Sequence, residues 1–463
     1  MSPILPQALI DSLQGATGFD ETSFTQAHTT EEKLTSIRFN PIKYTSYNER
    51  YSINDLQLPI AKTVPWCVYG RYLSERPSFT FDPLFHAGLY YVQEASSMFL
   101  WEILQQTIGD NTSNLRVLDL CAAPGGKSTL LNSYFNEGLV VANEVIKSRA
   151  NILVENIIKW GYPNTVVTNN DPKDFQRLQN YFDVIVVDAP CSGSGLFRKD
   201  AEAIHEWSEE AVTLCSQRQQ RILADSYDCL KQDGLLIYCT CSYSPQEDEE
   251  ILDWLTDNFQ LSSIKIRLSE EWNIVETISP INKAYGYRFY PDKVQGEGFF
   301  IAAFTKKDGS SFFVPNGKPP SLTKTEENLW QEWLNNSEAL LLFKQKDAAI
   351  AIPAKWQHDI TLLQKHLYIK SAGILLGNLK GKDIIPHPAL ALSTITSKQV
   401  GRTDFTREQA IQYLQKKDIA IDLRTLHKGW TLACYYGLPL GWMKVLPNRI
   451  NNYYPAEWRI LKN

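Results

Sequence analysis

Residues 115 to 305 predict an α/β fold, a mostly parallel sheet with helices on both faces. Two observations predict it. Apolar runs of strand length recur at Arg116–Cys121, Leu139–Val145, Thr165–Asn169, Phe182–Ala189, Gly234–Cys241 and Phe299–Phe304. Helical patterns stand between them, among them Ser148–Trp160 and Glu209–Leu230. Strands alternating with helices in this way build a parallel sheet covered on both sides. Ligands of such sheets bind beyond the carboxyl ends of the strands. Cys121, Glu144, Asp171, Asp188 and Cys241 all fall at or just past those ends, so chemistry is expected there.

Three further segments flank this region. Residues 1–95 form an aromatic-rich N-terminal domain, and 96–305 carry the α/β unit. Residues 306–325 (KKDGSSFFVPNGKPPSLTKT) are rich in Gly, Pro, Ser and Lys and read as a linker. Residues 326–463 then read as an independent C-terminal region. Its last third is short strands and turns, punctuated by Gly437, Pro439, Gly441 and Pro447.

Composition excludes several classes. The 463 residues are 43% hydrophobic and 21% charged, ordinary for a globular protein. No run of about 18 apolar residues suggests a membrane span, and the first 30 residues lack a signal-peptide pattern. A cytoplasmic monomer is expected. The eight cysteines contain no C-x-x-C pair, so no metal site is expected. The net charge of −6 conceals an asymmetry. Residues 340–463 hold 18 Lys and Arg against 8 Asp and Glu, a net of +10 that leaves −16 for the rest. A basic region on an acidic body suits a polyanion such as RNA.

The first strand runs into Cys121-Ala122-Ala123-Pro124-Gly125-Gly126-Lys127-Ser128, followed by a helical pattern. A glycine turn between strand and helix lets backbone N–H groups approach a ligand closely. The dinucleotide pattern G-x-G-x-x-G is absent. The phosphate loop G-x-x-x-x-G-K-[ST] is missed only because Cys121 stands at its first glycine, so an NTPase is one alternative. Against it stand Glu144, Asp171 and Asp188, which close the next three strands. Three carboxylates suit a cationic sulfonium nucleoside and would repel a triphosphate unless magnesium intervened. Glu144 could accept hydrogen bonds from a ribose diol and Asp171 could serve an adenine edge. A loop acid that caps a helix is the plainer alternative for each.

Two cysteines follow adjacent strand ends, in Asp188-Ala-Pro-Cys191-Ser-Gly-Ser-Gly and in Cys239-Thr240-Cys241-Ser242. Carbon 5 of cytosine is a poor nucleophile. A thiolate that adds to carbon 6 makes carbon 5 able to attack a methyl donor, dividing one hard step into two easier ones. A second group must then help remove the carbon 5 proton so that the thiolate can leave. Cys241 as nucleophile, Cys191 as helper and Asp188 at the base edge match these needs. A free thiol titrates near about 8.5 and needs activation, for which Lys127, Arg198 and Lys199 are candidates. Cys215, Cys229 and Cys239 read as core residues.

The motifs DLCAAPGGKS, DAPCSGSG and TCS, in this order, resemble the Nol/Nop/Sun family of RNA cytosine-5 methyltransferases. Phe85-His-Ala-Gly88, Gln93-Glu-Ala-Ser-Ser-Met98, Tyr287-Arg-Phe-Tyr-Pro291 and Gly296-Glu-Gly-Phe-Phe300 match as well. The likeness covers residues 1 to 305. The C-terminal part more loosely resembles the RsmF-type bacterial members, which carry a PUA-like RNA-binding domain there. The resemblance implies a Rossmann-like class I S-adenosylmethionine-dependent methyltransferase sheet, a small α+β N-terminal domain and a mixed, PUA-like C-terminal region. It implies attack by Cys241, product release by Cys191 and a cytosine edge held by Asp188. It places Cys121 to Lys127, Glu144, Arg149, Asp171 and Asp188 around S-adenosylmethionine, and Arg38 and Asn40 among RNA contacts. The implied substrate is 16S ribosomal RNA of the small subunit. Alternatives are the same chemistry on transfer RNA, a DNA cytosine-5 methyltransferase with Cys191 as nucleophile, a P-loop-like NTPase, and a non-catalytic RNA-binding assembly factor.

Overall fold

Five apolar strands run parallel at the centre of the molecule: β1 (Arg116–Asp119), β2 (Leu139–Asn143), β3 (Thr165–Thr168), β4 (Phe182–Asp188) and β5 (Leu230–Thr240). Their buried stretches read as apolar runs because helices cover both faces of the sheet. The computed structural model describes residues 5–30, 34–310, 312–381 and 383–461. Two more strands, β6 (Tyr285–Phe289) and β7 (Phe299–Lys306), extend the order to β3-β2-β1-β4-β5-β7-β6 within a sheet of ten strands among the described residues. Strand β7 enters antiparallel between β5 and β6. The sheet is thus the mostly parallel, Rossmann-like one expected. Each expected strand among the first five ends one or two residues early, so Cys121, Glu144, Asp171, Cys191 and Cys241 all lie in the loops beyond.

Four helices frame the strand ends: α1 (Gly126–Tyr134), α2 (Lys147–Trp160), α3 (Glu209–Tyr227) and α4 (Glu249–Asn258). Helix α2 stops at Gly161, whose φ of +86° is the left-handed conformation that closes a helix. Ser208 caps α3 by accepting from the Ala211 N–H. Side chains alternate between two cores, one on each face. Leu118, Ile185, Leu236 and Tyr238 fill the first; Val117, Val184, Ile237 and Cys239 fill the second.

Before the sheet, the described residues between 5 and 95 contribute four short α-helices and a four-stranded antiparallel sheet, an α+β arrangement. Arg38 and Asn40, expected at an RNA surface, are both fully buried. Arg38 donates to the Thr129 hydroxyl at 2.6 Å and stacks over Trp160, and Asn40 donates to the Trp160 carbonyl at 2.9 Å. They fasten this sheet to α1 and α2 rather than meeting a ligand.

The C-terminal region carries two four-stranded sheets, but it is not independent. Its segment Ile369–Ala372 extends the central sheet beyond β3. Trp356, Ile360, Leu363 and Leu367 share the core of Ile185 and Leu236, and Asp359 pairs with Arg116 at 2.5 Å. Farther on, Tyr413, Ala433 and Leu440 pack with Ile37, Phe39 and Tyr90. Deleting residues 326–463 would therefore expose core on both neighbours. Gly437 does form a turn with Tyr436, both at positive φ. Pro439 and Gly441, expected as turn punctuation, instead lie inside the strand Leu438–Val445, beside a bulge. No helix among the described residues is long and apolar enough to cross a membrane.

Candidate active site

Strands β4 and β5 are neighbours, with Asp188 opposite Cys239, so the loops that leave them run side by side. Their cysteines meet: Cys191 Sγ lies 2.8 Å from Cys241 Sγ. The Gly195 N–H donates to the Cys241 carbonyl at 2.8 Å and closes the two loops on each other. A side chain at Gly195 would stand 2.4 Å from the Gly298 carbonyl and 2.7 Å from that of Cys241, which is why the loop carries glycine there. The contact with Cys241, and then burial, push the Cys191 thiol well above its ordinary value. Cys191 thus keeps its proton at neutral pH.

Asp188 ends β4 and pairs with Lys127 at 2.9 Å. Burial opposes the charge on Lys127, but Asp188, Cys239 and Asp119 around it together outweigh that and hold the ammonium protonated. Cys239, on the same side, is buried and donates to Asp188 at 3.5 Å. Of the expected thiol activators, Arg198 turns elsewhere, to the Gly296 carbonyl at 3.2 Å and Glu297 at 3.7 Å. Lys199 is exposed.

The glycine loop lies beyond β1. Gly125 has a φ of +119° and begins α1, and a side chain there would press on Leu153. Ala122 and Ala123 pack into a small core with Leu153 and Ile157, so only their backbone can serve a ligand. Burial raises the Cys121 thiol, leaving it neutral. Around the loop stand the expected acids. Glu144 is buried, accepts from the Ile146 N–H at 2.9 Å and meets Arg149 at 3.4 Å. Arg149 also donates to the Ala123 carbonyl at 2.7 Å, which ties this acid to the loop. Asp171 caps the turn Pro172–Arg177 through the Lys173 N–H and lies 3.5 Å from Arg221. Both acids therefore also serve locally, and a carboxylate has room for about four hydrogen bonds. Asp119 adds one more feature: its Oδ2 accepts from Ser128 at 2.6 Å, while its buried Oδ1 has no partner. Positive-φ glycine backbone at a helix start, ringed by carboxylates and one unsatisfied buried oxygen, suits a cationic nucleoside.

A second acidic group was not anticipated from the sequence. Glu247, Asp248 and Glu249 follow the Cys241 loop and are buried. Glu247 reaches both cysteine loops. Asp248 accepts from the Thr240 hydroxyl at 2.7 Å. Arg288 of β6 donates to Glu249 at 2.7 Å and to the Tyr243 carbonyl at 2.8 Å, and lies 3.1 Å from Asp248. The run Gln246-Glu-Asp-Glu-Glu250 reads as a solvated first turn of a helix. The signal against that reading is its position, directly after a strand-end cysteine.

Comparison with known proteins places these features in context. Three family descriptions match the chain: 16S rRNA methyltransferase RsmB/F over residues 107–305, the N-terminal domain of 16S rRNA methyltransferase RsmF over 5–95, and the methyltransferase RsmF PUA domain over 401–460. Ribosomal RNA small subunit methyltransferase F of Psychromonas ingrahamii is 30% identical over 476 residues, spanning 98% of this chain and 97% of its own. The protein of that name from Shewanella sp. is 28% identical, spanning 91% and 90%. Among solved structures, a methyltransferase homolog protein from Pyrococcus horikoshii is 28% identical with a TM-score of 0.51. It covers 65% of this chain and 100% of its own.

Proposed function

This chain belongs to the ribosomal RNA small subunit methyltransferase F family, and from that premise we propose that it methylates carbon 5 of cytosine in 16S ribosomal RNA, in the cytoplasm. The observation that carries the cytosine chemistry is the meeting of Cys191 and Cys241 at 2.8 Å, past adjacent strand ends. The Gly125–Gly126 turn, Glu144, Arg149 and Asp171 would hold S-adenosylmethionine, which when bound would supply an electrophilic methyl group.

The residues divide the remaining work. Cys241 attacks carbon 6 and forms a C–S bond. Cys191 lies 2.8 Å from that sulfur, where either thiol can donate to the other. Asp188 accepts from the exocyclic amine and fixes the base edge, and Lys127 pairs with it at 2.9 Å. The ring electrons displaced by that attack let carbon 5 take the methyl group, and the donor's sulfur keeps the electrons of the broken S–C bond. Cys191, its own proton passed to water, then takes the proton on carbon 5. The electrons of that C–H bond re-form the ring double bond and expel Cys241. The basic residues of the C-terminal region grip phosphates. Among them Lys398, Arg402, Arg407 and Arg449 are exposed.

Two measurements test this reading. Bisulfite sequencing of RNA from cells with and without the protein should show at least one 16S cytosine that loses protection when the protein is absent. Protection lost only in transfer RNA would move the substrate. Calorimetry should show that Glu144→Ala and Asp171→Ala each weaken S-adenosylmethionine binding by about 1.5–3 kcal/mol, the worth of a hydrogen bond to a charged group. ATP should give no heat with either variant or with the parent. Full cofactor affinity in both variants would remove these acids from the site.

A further inference from the structure

We propose that Glu247 is a positioning residue that holds the Cys191 and Cys241 loops at their working separation, an inference that rests on the two-cysteine reading above. Its carboxylate sits behind both loops and touches the residue that follows each cysteine. One oxygen accepts from the Ser192 backbone N–H at 2.8 Å and from Gln219 Nε2 at 3.1 Å. The other accepts from the Ser192 hydroxyl at 2.5 Å and from the Ser242 hydroxyl at 2.6 Å. Ser192 is bonded to Cys191 and Ser242 to Cys241, so a shift of this one group moves the peptide beside each sulfur.

The brace is itself anchored. Tyr238 of β5 donates to the Glu247 carbonyl at 2.6 Å and to Gln219 Oε1 at 3.0 Å. Gln219 of α3 also donates to the Pro190 carbonyl at 3.1 Å. The residues on both sides of Cys191 are thus tied to the same carboxylate, one directly and one through Gln219. Four donors converge on it, and a carboxylate is the side chain that accepts about four. Burial raises the Glu247 carboxyl above its ordinary value, and the donors of Ser192, Ser242 and Gln219 work against that rise. A glutamine here keeps one accepting oxygen, while the serine hydroxyls can turn to accept from its amide. An alanine removes the one acceptor that all four donors share.

The test compares the full-length protein with its Glu247→Ala and Glu247→Gln variants in two assays. In the first, RNA-free protein is treated with diamide. This azo oxidant takes two electrons and two thiol protons, becomes a hydrazine, and leaves a Cys191–Cys241 disulfide that peptide mass mapping quantifies. The pair should close readily in the parent and at least about tenfold more slowly in Glu247→Ala, with Glu247→Gln between them. In the second, steady-state methylation should show kcat lowered about 100-fold in Glu247→Ala, the cost of misplacing reacting groups by about 1 Å. KM for S-adenosylmethionine should be unchanged, and Glu247→Gln should recover most of the loss. Parent-like disulfide formation and kcat in Glu247→Ala would overturn the proposal. So would a parallel loss of cofactor binding, which marks general damage to the fold. Cys241→Ala, run beside these, separates the two levels. If it still methylates RNA, the two-cysteine reading fails and takes this inference with it. If it is inactive while Glu247→Ala is unimpaired, the inference alone fails.

Discussion

Cys241→Ala is expected to abolish methyl transfer, and Cys191→Ala is expected to leave the enzyme joined to its own methylated product. The two losses differ because the two sulfurs act at opposite ends of one cycle. Without the Cys241 sulfur no bond to carbon 6 forms, and carbon 5 never becomes nucleophilic. The rate should fall by roughly 10⁴- to 10⁶-fold, the scale seen when a covalent nucleophile is removed. Without the Cys191 sulfur, attack and methylation remain possible. The carbon 5 proton then has no acceptor, and the C–S bond cannot break. The species should run as a slow protein–RNA band on a denaturing gel, only when S-adenosylmethionine is supplied. The double variant should lose the band. Because the sulfurs are 2.8 Å apart, either could reach a cytosine in this place. An adduct in Cys241→Ala but none in Cys191→Ala would therefore reverse the roles.

The largest stability effect is expected at Arg288. Its guanidinium is buried and faces two buried acids, Asp248 and Glu249. Both nitrogens of its outer fork and its Nε are engaged, one of them also by the Tyr243 carbonyl. Burial raises the Asp248 carboxyl well above its ordinary value, whereas at Glu249 burial is offset by the charge and hydrogen bonds of Arg288 together with other hydrogen bonds, which hold that carboxyl down. Arg288→Met removes the cation and leaves two carboxylates together away from water. Breaking a buried pair from one side costs about 3–5 kcal/mol, which corresponds to a melting temperature lower by roughly 3–5 °C for a chain of 463 residues. The sign of the pH dependence is set by the same two acids. In the variant both carboxyls titrate above their unfolded values, so the folded state binds more protons than the unfolded chain. Its deficit should shrink as the pH falls from 7 toward 5. Adding Asp248→Asn and Glu249→Gln should restore most of the loss at pH 7. A melting curve for Arg288→Met that matches the parent at every pH would show that the cluster contributes nothing.

The parts of this fold that sequence reasoning reaches are those with a strong local signal. Strands β1 to β4 and the part of β5 from Gly234 are covered on both faces, so each reads as a mainly apolar run, and the motifs after β1, β4 and β5 mark where the runs stop. Strand β6 and the edge segments Val275–Ile278 and Ile369–Ala372 mix polar and apolar residues, and no run announces them. Arg38 and Asn40 are polar residues in an aromatic segment, a pattern shared by an RNA surface and by a buried junction between two units. Burial and partners decide between these, and both come from α1 and α2, about 90 and 120 residues away along the chain. Glu247 escaped for the same reason. The donors from Ser192 and Gln219 belong to other elements, so nothing in the local acidic run distinguishes a buried brace from a solvated turn. The apparent independence of residues 326–463 rested on the loop-like composition before them. The apolar side chains of Trp356, Ile360 and Leu363 carry no mark of which core they join.

The measurement that bears most directly on the covalent mechanism uses the unaltered protein and RNA in which cytosine is replaced by 5-fluorocytosine. Fluorine at carbon 5 leaves no proton to remove, so attack and methylation should proceed and release should stop. Nuclease and protease digestion of the trapped complex, followed by peptide mass mapping, identifies the side chain that carries the base. The expected product is a methylated fluorocytosine joined to Cys241, with Cys191 free. A base joined to Cys191, or methylated RNA released with no adduct at all, would contradict the covalent role of Cys241.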